Sequence, residues 1–569
     1  MREYSIQFRG VTDYRLELLP AHHGLGTLRG QFSEALWLLM GIVALVMLIA
    51  WCNVATLLLG RARARKHEIG VRLSMGAGRP RIVRQLLTES FVLVTIAAGL
   101  GLGFAVLTSR QLVSMASAGE KWRLWTGIDW HVIGFALLVS LTATLIFGLA
   151  PALTATRVAL NTALQESSPT LSGARSRRIV TRGFVVAQVT LSLMLIAGAG
   201  LLVRSFWNLT HQDLGFNPAG VVMTQVGAAA GSDIRVLIDS ATHQAIYKRA
   251  VEIPGVRSAA VGPELFGWIA WGPGAPVALP DRVIPKTAGM RIFPVSANYI
   301  ETMGIPLLRG RSITDTDDKS GPKVAIVNQT AARLMFGNAD PIGRTFANND
   351  EFRPESQIEV VGIIEDFRVD SARGPFEPVI LTPLLQRPPA GPPNIVLRVS
   401  KTSVGLARQL DAAVRDVSPG LRVDPLKTLN GLVGTSVRRE HLLASLSAGF
   451  AVLALVLAAV GLYGIVNYSA QLRAQEISIR IAVGGTSRQI SLQVLSEAVL
   501  LLSTGTLLGT IATLALSRTL HAMLFGLQPN DPGTLVLVGA LLMGVGLAAA
   551  YIPASRASRV DPIVVLRRQ

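Results

Sequence analysis

The sequence RARARKHEIGVRLSMGAGRPRIVRQLLTE, residues 61–89, occurs again later in the chain as SAQLRAQEISIRIAVGGTSRQISLQVLSE, residues 469–497. An apolar run long enough to cross a bilayer precedes each copy, and another begins at its end. Recurrence over such a length predicts two copies of one structural unit. Among the positions that keep the same residue without a gap are Glu68 and Glu476, Arg72 and Arg480, Gly76 and Gly484, Gln85 and Gln493, and Glu89 and Glu497.

The composition indicates a membrane protein. Half of the 569 residues are hydrophobic (50%) and only 16% are charged. Seven apolar runs are long enough to span roughly 30 Å of hydrocarbon. They lie at about 35–59, 86–107, 131–153, 184–203, 442–468, 492–516 and 534–552. The net charge of +18 could suggest a nucleic-acid partner, but the basic residues lie mostly beside the apolar runs, which favours the flanks of membrane spans over a nucleic-acid groove.

The basic residues also predict the topology. Seven spans put the two termini on opposite sides of the membrane. The basic stretches 61–84, 155–183 and 469–490, together with the tail 556–568, all fall on one side. Positively charged loops are typically cytoplasmic. We therefore expect the carboxyl terminus inside, and the amino terminus and the polar region between about 204 and 440 outside.

The repeat extends beyond its opening stretch, because residues 129–164 match residues 531–566. Each unit is then three spans in the same orientation, so the two units are parallel and related by an axis along the membrane normal. The second unit follows a span and a large outer domain, whereas only residues 1–34 precede the first. We expect an upstream span and a first outer domain to be missing from the sequence; the alternative is a natural short form.

These residues resemble the FtsX/MacB-type permeases of ABC transporters, in particular the duplicated form known as acidobacterial duplicated orphan permeases. The cytoplasmic pattern of that family is similar to EIGVRLSMGA (68–77) and EISIRIAVGG (476–485). In the polar region, four motifs resemble the MacB-type periplasmic core domain. They are VSANYIETMGIPLLRGR (295–311), VAIVNQTAARLMFG (324–337), DPIGRTF (340–346) and VVGIIEDFR (360–368).

The predicted fold is an α-helical polytopic membrane protein with a large α+β extracytoplasmic MacB-like domain. Two parallel three-helix FtsX-like modules and one extra span make up its seven transmembrane helices. The predicted domains are an extracytoplasmic remnant (1–34), the first FtsX-like module (35–170), a cytoplasmic basic linker with the fourth span (171–204), the MacB-like core domain (205–440) and the second FtsX-like module (441–569).

The resemblance implies a permease subunit of an ABC-type efflux or mechanotransmission system in the bacterial inner membrane. Its partners would be an ABC-type ATPase subunit, the lipid bilayer, and an extracytoplasmic accessory protein or a peptide, lipid or drug substrate, with no nucleic acid. The chain has no G-x-x-x-x-G-K-[ST] phosphate loop, so we expect ATP to bind a separate subunit and no cofactor, metal or catalytic site here. The alternatives are a membrane-anchored receptor or scaffold, and a secondary carrier.

Residues four apart, such as Glu476 and Arg480, lie on one face of a helix. Such a helix could dock into the ATPase, or it could be a solvated helix with an ordinary ion pair. The predicted ATPase contacts are Glu68, Ile69, Arg72, Leu73, Gly76, Glu476, Ile477, Arg480, Ile481 and Gly484. Glu89 and Glu497 could couple these loops to the spans at the membrane edge, or could merely favour a helix amino terminus by its dipole.

Other polar residues have less specific interpretations. Gln188, in the fourth span, could bond to another span or reach towards the membrane interface. Asp315, Asp317 and Asp318 only partly match a calcium loop, so a solvated turn is favoured. The polar region is predicted to contain two strand–helix–strand lobes, at 221–261 and 394–423, with a β-rich insertion between them.

Overall fold

The computed structural model describes residues 26–64, 72, 75, 78–116, 130–144, 171–228, 239–266, 274–349, 351–387, 394–400, 405–483, 486–520, 525–527 and 531–558. The chain forms two compact units. We call Met1–Trp207 with Arg439–Gln569 the membrane unit, and Asn208–Arg438 the α/β unit.

The helices, in chain order, are α1 (Gly26–Ala64), α2 (Arg79–Ala116), α3 (Trp130–Thr144), α4 (Leu171–Thr210), α5 (Ser240–Val251), α6 (Tyr299–Met303), α7 (Gln329–Phe336), α8 (Leu406–Val417), α9 (Leu429–Ser436), α10 (Arg438–Leu472), α11 (Ala474–Ala482), α12 (Ser487–Leu520) and α13 (Pro532–Ala557). The strands are β1 (Val221–Ala228), β2 (Val256–Gly262), β3 (Val277–Ala278), β4 (Val283–Ile284), β5 (Arg291–Val295), β6 (Leu307–Gly310), β7 (Val324–Asn328), β8 (Thr345–Ala347), β9 (Gln357–Ile364), β10 (Val379–Pro383), β11 (Asn394–Val399), β12 (Leu421–Val423) and β13 (Lys427–Thr428).

Six helices of the described residues are long and apolar enough to cross a membrane. Their apolar segments are Leu36–Thr56, Phe91–Gln111, Arg182–Thr210, Arg438–Gln471, Ser487–Leu516 and Pro532–Ala557. Each falls on a predicted span. The predicted third span starts on α3, a shorter apolar helix, and its remainder (145–153) lies outside the described residues. The count of seven spans therefore stays a prediction.

Helix α4 is the centre of the membrane unit. Val189 and Leu193 of this helix pack against Leu462 of α10, Leu502 of α12 and Leu542 of α13. Helix α12 approaches closely because it presents two glycines to α4: a Cβ added at Gly505 would lie 2.6 Å from Val189 Cβ, and one at Gly509 would lie 3.0 Å from Leu193 Cβ. Small residues at such contacts let membrane helices pack backbone to backbone.

The first sheet of the α/β unit joins the two strand–helix–strand segments that the sequence predicts as separate lobes. Its strand order is β12–β1–β11–β2, all antiparallel, with β13 also paired to β1. The prediction of two lobes is therefore wrong: β11 inserts between β1 and β2, which makes one split β-α-β arrangement. Helices α5 and α8 cover one face of this sheet, where Ile246 and Leu410 are buried against Leu397. Strand–helix–strand order along the chain does not specify which strands pair, so the joining was not visible in the sequence.

The second sheet of this unit confirms the predicted β-rich insertion. It has eight strands in the order β4–β3–β8–β9–β7–β10–β5, with β6 also paired to β9. The family-like motifs lie on it: residues 324–337 form β7 and α7, and residues 360–364 form the end of β9. Val327, Phe346 and Ile380 are fully buried in its core.

A turn of the α/β unit accounts for the acidic residues that partly match a calcium loop. The Asp317 carboxylate accepts hydrogen bonds from Arg311 Nη1 and Nη2 (2.8 and 2.9 Å) and from the backbone N–H of Thr314 (2.8 Å). Asp315 instead accepts a bond from the Tyr247 hydroxyl (2.7 Å). Burial alone would raise the pKa of Asp317, but the bonds from Arg311 and Thr314 outweigh it and hold the pKa below its usual value. Within the described residues no group of three or more acidic, histidine or cysteine side chains could hold a metal ion.

Asp317→Asn is expected to lower the free energy of unfolding by about 1 kcal/mol at neutral pH, because it removes a charged acceptor from Arg311, which is partly exposed. The folded-state pKa is depressed, so this stability is present above the unfolded pKa, about 4, and is lost as the pH falls through the folded value. Thermal unfolding of the full chain over a pH series should show the two proteins converging in acid. A difference that persists there would contradict the ion pair as its cause.

Candidate functional site

The second copy of the repeated segment forms helix α11, with one face directed inwards. Ile477 is 7% exposed and packs with Ala470, Ile490 and Ala557, and Ile481 lies partly buried against the same cluster. Both isoleucines are predicted ATPase contacts. The structure instead places them on the side of α11 that packs against the membrane unit.

The opposite face of α11 is open to solvent. Glu476 and Arg480 form the expected ion pair between residues four apart (2.6 Å), and both side chains are about half exposed. Ile479 is 50% exposed on this face, and Val483, which follows the helix, is 84% exposed. An isolated surface ion pair contributes under about 1 kcal/mol. The apolar groups beside it are thus the more informative feature for a partner.

The same hydrogen bond recurs in both copies. Arg72 Nη1 donates to Gln85 Oε1 (3.2 Å), and Arg480 Nη1 donates to Gln493 Oε1 (2.5 Å). In each copy the bond ties the segment to the first turns of the following span. The residues Glu68, Ile69, Leu73, Gly76 and Gly484 lie outside the described residues. For those five the contact assignments stay predictions.

The structure adds a pair of residues that sequence reasoning missed. Met75 is 75% exposed in the first copy, and Val483 is 84% exposed at the matching position of the second. A large apolar side chain exposed at the same place in two copies indicates a surface for binding. The signal was available in the sequence, because each residue stands immediately before the repeated Gly76 or Gly484 in an otherwise basic segment.

The two glutamates at the membrane edge lie at matching positions of α2 and α12. Glu497 of α12 forms ion pairs with Arg182 of α4 and with Arg473 (3.2 Å), which immediately precedes α11. Its counterpart Glu89 accepts a hydrogen bond from Gln85 Nε2 (3.3 Å) at an exposed position. In the second copy the carboxylate therefore connects α4, α12 and the start of α11.

Glu497→Gln is expected to lower the free energy of unfolding by about 1–2 kcal/mol, since it leaves two partly buried guanidinium groups without their carboxylate. Glu476→Gln, which breaks the exposed ion pair with Arg480 in α11, provides the control, and it should change stability by no more than about 0.5 kcal/mol. Unfolding of the purified chain in detergent by graded addition of SDS measures both. Equal effects would show that the Glu497 cluster does not hold the helices together.

A buried polar contact joins three spans deeper in the membrane unit. Asn53 of α1 and Gln188 of α4 are 5% and 1% exposed, and both side-chain amides donate to the carbonyl oxygen of Leu457 in α10 (2.9 and 2.8 Å). This confirms, of the two interpretations of Gln188, the bond to another span. Gly461, one turn further along α10, leaves room for both amides. The contact links the first module to α4 and to the second module.

Comparison with known proteins matches two family models to the chain. The model of the FtsX-like permease C-terminal family matches residues 40–160 and again residues 448–562. The model of the MacB-like periplasmic core domain matches residues 184–416. The first model thus matches two separate stretches of the chain.

Curated relatives carry the name macrolide export ATP-binding/permease protein MacB. The one from Wolinella succinogenes is 25% identical over 286 residues, which are 48% of this chain and 42% of that protein. The one from Rhodospirillum rubrum is 28% identical over 285 residues, 47% of this chain and 41% of that protein. The chain thus spans about two fifths of the length of the curated relatives it matches.

A solved structure, the periplasmic region of MacB from Actinobacillus actinomycetemcomitans, is 12% identical with a TM-score of 0.27; the match covers 39% of this chain and 94% of that one. The two family models together account for most of the sequence, including both copies of the repeat. The chain therefore belongs to the FtsX/MacB-type family of ABC transporter permeases, as a multi-pass membrane protein.

Proposed function

We propose that the protein is the permease subunit of an ABC-type efflux or mechanotransmission system of the inner membrane. A separate ATPase would bind the two repeated segments from the cytoplasm, and its cycle would move the α/β unit on the other side. The observation that carries this proposal is the recurrence of one surface in two copies. Each copy has an arginine bonded to a glutamine thirteen residues later and a large exposed apolar side chain beside it.

The chemistry of this surface supports a protein partner that offers both apolar and charged groups. A solvent-exposed apolar residue flanked by ionic groups is typical of a docking site whose centre is apolar and whose rim is polar. Two such sites on one chain suit a motor with two equivalent subunits, because each site engages one subunit and the two attachments reinforce each other. The names of the curated relatives join an ATP-binding and a permease function. In this proposal the ATP-binding function belongs to the partner, and residues 1–569 contain no phosphate-loop sequence.

The second candidate is a membrane-anchored receptor or scaffold without ATP-driven work. The α/β unit, with two sheets and its own buried cores, is large enough to bind a ligand by itself. This candidate requires no ATPase at the repeated segments. The presence of an ATPase in the isolated complex therefore separates the two.

The experiment is affinity purification of the tagged full chain from its native membranes in a mild detergent, with the partners identified by mass spectrometry. We expect an ABC-type ATPase to be recovered, and Arg72→Glu combined with Arg480→Glu to reduce its recovery at least about tenfold, since both arginines order the segments that the ATPase contacts. Arg556→Glu, exposed in the last turn of α13 and outside both repeated segments, is the control for added negative charge. Recovery of the chain without any ATPase would favour the receptor.

A further inference from the structure

The two copies of the repeat continue into the spans that follow them, α2 and α12. The match without a gap extends to Ser109 and Arg110 of α2, which correspond to Ser517 and Arg518 of α12. Residues four apart lie on one face of a helix. On one such face the corresponding positions of α2 and α12 are Leu93 and Leu501, Ala97 and Gly505, and Gly101 and Gly509. We call these positions the matched faces of the two helices.

In the second copy, α4 covers the matched face of α12. Both glycines of this face are buried, and Val189 and Leu193 of α4 lie directly against Gly505 and Gly509. The hydroxyl of Thr190 also donates to the carbonyl oxygen of Gly505 (3.2 Å). The face of α12 therefore holds a membrane helix that presents branched apolar side chains four residues apart.

In the first copy, no helix of the described residues covers the matched face of α2. Leu93 is 54% exposed, whereas Leu501 at the same position of α12 is 7% exposed. Ala97 and Gly101 are exposed too, and a Cβ added at Gly101 would meet nothing within 4 Å. Within this part of the structure, no residue of the segment Phe91–Gln111 is buried. The same face is thus filled in one copy and open in the other.

Two observations favour a helix over lipid on the open face of α2. Ala97 and Gly101 form a pair of small residues four apart, the pattern at which membrane helices approach each other closely. The difference between the copies also extends to a second helix of each module. Val54 of α1 is 42% exposed, while Leu462 at the corresponding position of α10 is 1% exposed and packs with α4. Among the described residues, the first module therefore lacks the contacts that α4 makes with two helices of the second.

We propose that the matched face of α2 binds a transmembrane helix of a partner protein, of the same type as α4. The partner helix presents two branched apolar side chains, four residues apart, to Ala97 and Gly101. It is a further helix, because α4 is itself held on α12. This contact lies within the membrane and does not depend on ATPase binding at the repeated segments.

The test is disulfide cross-linking of the full chain, in phospholipid vesicles, to a synthetic peptide of residues 182–210 that carries Val189→Cys. The chain carries Cys52→Ser, which removes its single cysteine, together with Ala97→Cys. We expect oxidation to join the two, because Val189 lies directly against the matching glycine of the second copy, within reach of a disulfide. Gly99→Cys, exposed at the same depth on the opposite side of α2, is the matched control and should give at least about tenfold less product.

A second pair of variants tests the space beside Gly101. The side chain of Gly101→Leu fills the space that the partner helix requires, so the cross-link at Ala97→Cys should fall at least about tenfold. Gly99→Leu adds the same side chain to the opposite side of α2 and should leave the cross-link unchanged. Without peptide, both leucine variants should unfold at no lower SDS concentration than the parent chain, since a Cβ at either glycine meets nothing within 4 Å.

Three results would overturn the proposal. Equal products at residues 97 and 99 would show that the peptide meets α2 only by random collision in the lipid. An unchanged cross-link in Gly101→Leu would show that the peptide does not pack against the matched face. Cross-linking of Ala97→Cys to a second copy of the chain, with the same yield whether or not the peptide is present, would assign the face to self-association.

Discussion

Gly461→Ala is expected to destabilise the membrane unit by about 3 kcal/mol, the upper part of the range for overpacking a buried contact. An added Cβ would lie 2.2 Å from Asn53 Oδ1 and 2.5 Å from Gln188 Oε1, distances that no real Cβ tolerates. The two side-chain amides would have to move away, and their bonds to the carbonyl oxygen of Leu457 would lengthen or break. SDS unfolding of the purified chain and the monodisperse fraction on gel filtration measure the loss.

Gly449→Ala is the matched control for that change. It lies in the same helix, α10, and a Cβ added there meets nothing within 4 Å. Alanine is the better helix former, so this variant should be as stable as the wild type or slightly more so. If Gly461→Ala unfolds at the same SDS concentration as Gly449→Ala, the amide bonds of Asn53 and Gln188 to Leu457 do not stabilise the membrane unit.

The spans and the repeat could be read from the sequence because both depend on local pattern. Twenty consecutive apolar residues specify a membrane helix whatever it packs against, and the aligned Glu476 and Arg480 needed only a helix to become neighbours. The bounds of some strands were predictable for the same reason. Strands β11 (Asn394–Val399) and β12 (Leu421–Val423) begin and end at the residues that the sequence pattern predicts.

The contacts between elements could not be read in this way. The sequence of α11 alone does not specify which of its faces is buried, so it could not distinguish Ile477 from Ile479. In the structure α11 packs against Ile490 and Ala557, which buries Ile477 and leaves Ile479 exposed. In the same way, Gln188 needed the carbonyl of Leu457, which is distant in sequence and is brought close only by the crossing of α4 and α10. The sequence could therefore predict a contact segment but not its exposed face, and the predicted contact Ile477 lies on the buried face of α11.

The exposed side chains Met75 and Val483 lead to the most demanding prediction for the proposed ATPase contact. Met75→Asp combined with Val483→Asp should reduce recovery of the ATPase at least about tenfold, because an aspartate buried in an apolar contact loses its hydration without gaining a partner. Both side chains are largely exposed, 75% and 84%, so the chain itself should keep its stability within about 0.5 kcal/mol. Copurification from native membranes measures the recovery of the ATPase, and SDS unfolding measures the stability of the chain.

A control variant distinguishes loss of the apolar contact at Met75 and Val483 from a general effect of added negative charge. Arg556→Glu makes an exposed position in the last turn of α13 negative, outside both repeated segments, and should leave ATPase recovery unchanged. Each single variant should reduce recovery less than the double, since one intact segment still holds one ATPase subunit. If the double variant recovers as much ATPase as Arg556→Glu, the exposed apolar pair is not the contact. The partner would then have to bind through Arg72, Glu476 and Arg480 alone, as a purely ionic surface that high salt should disrupt.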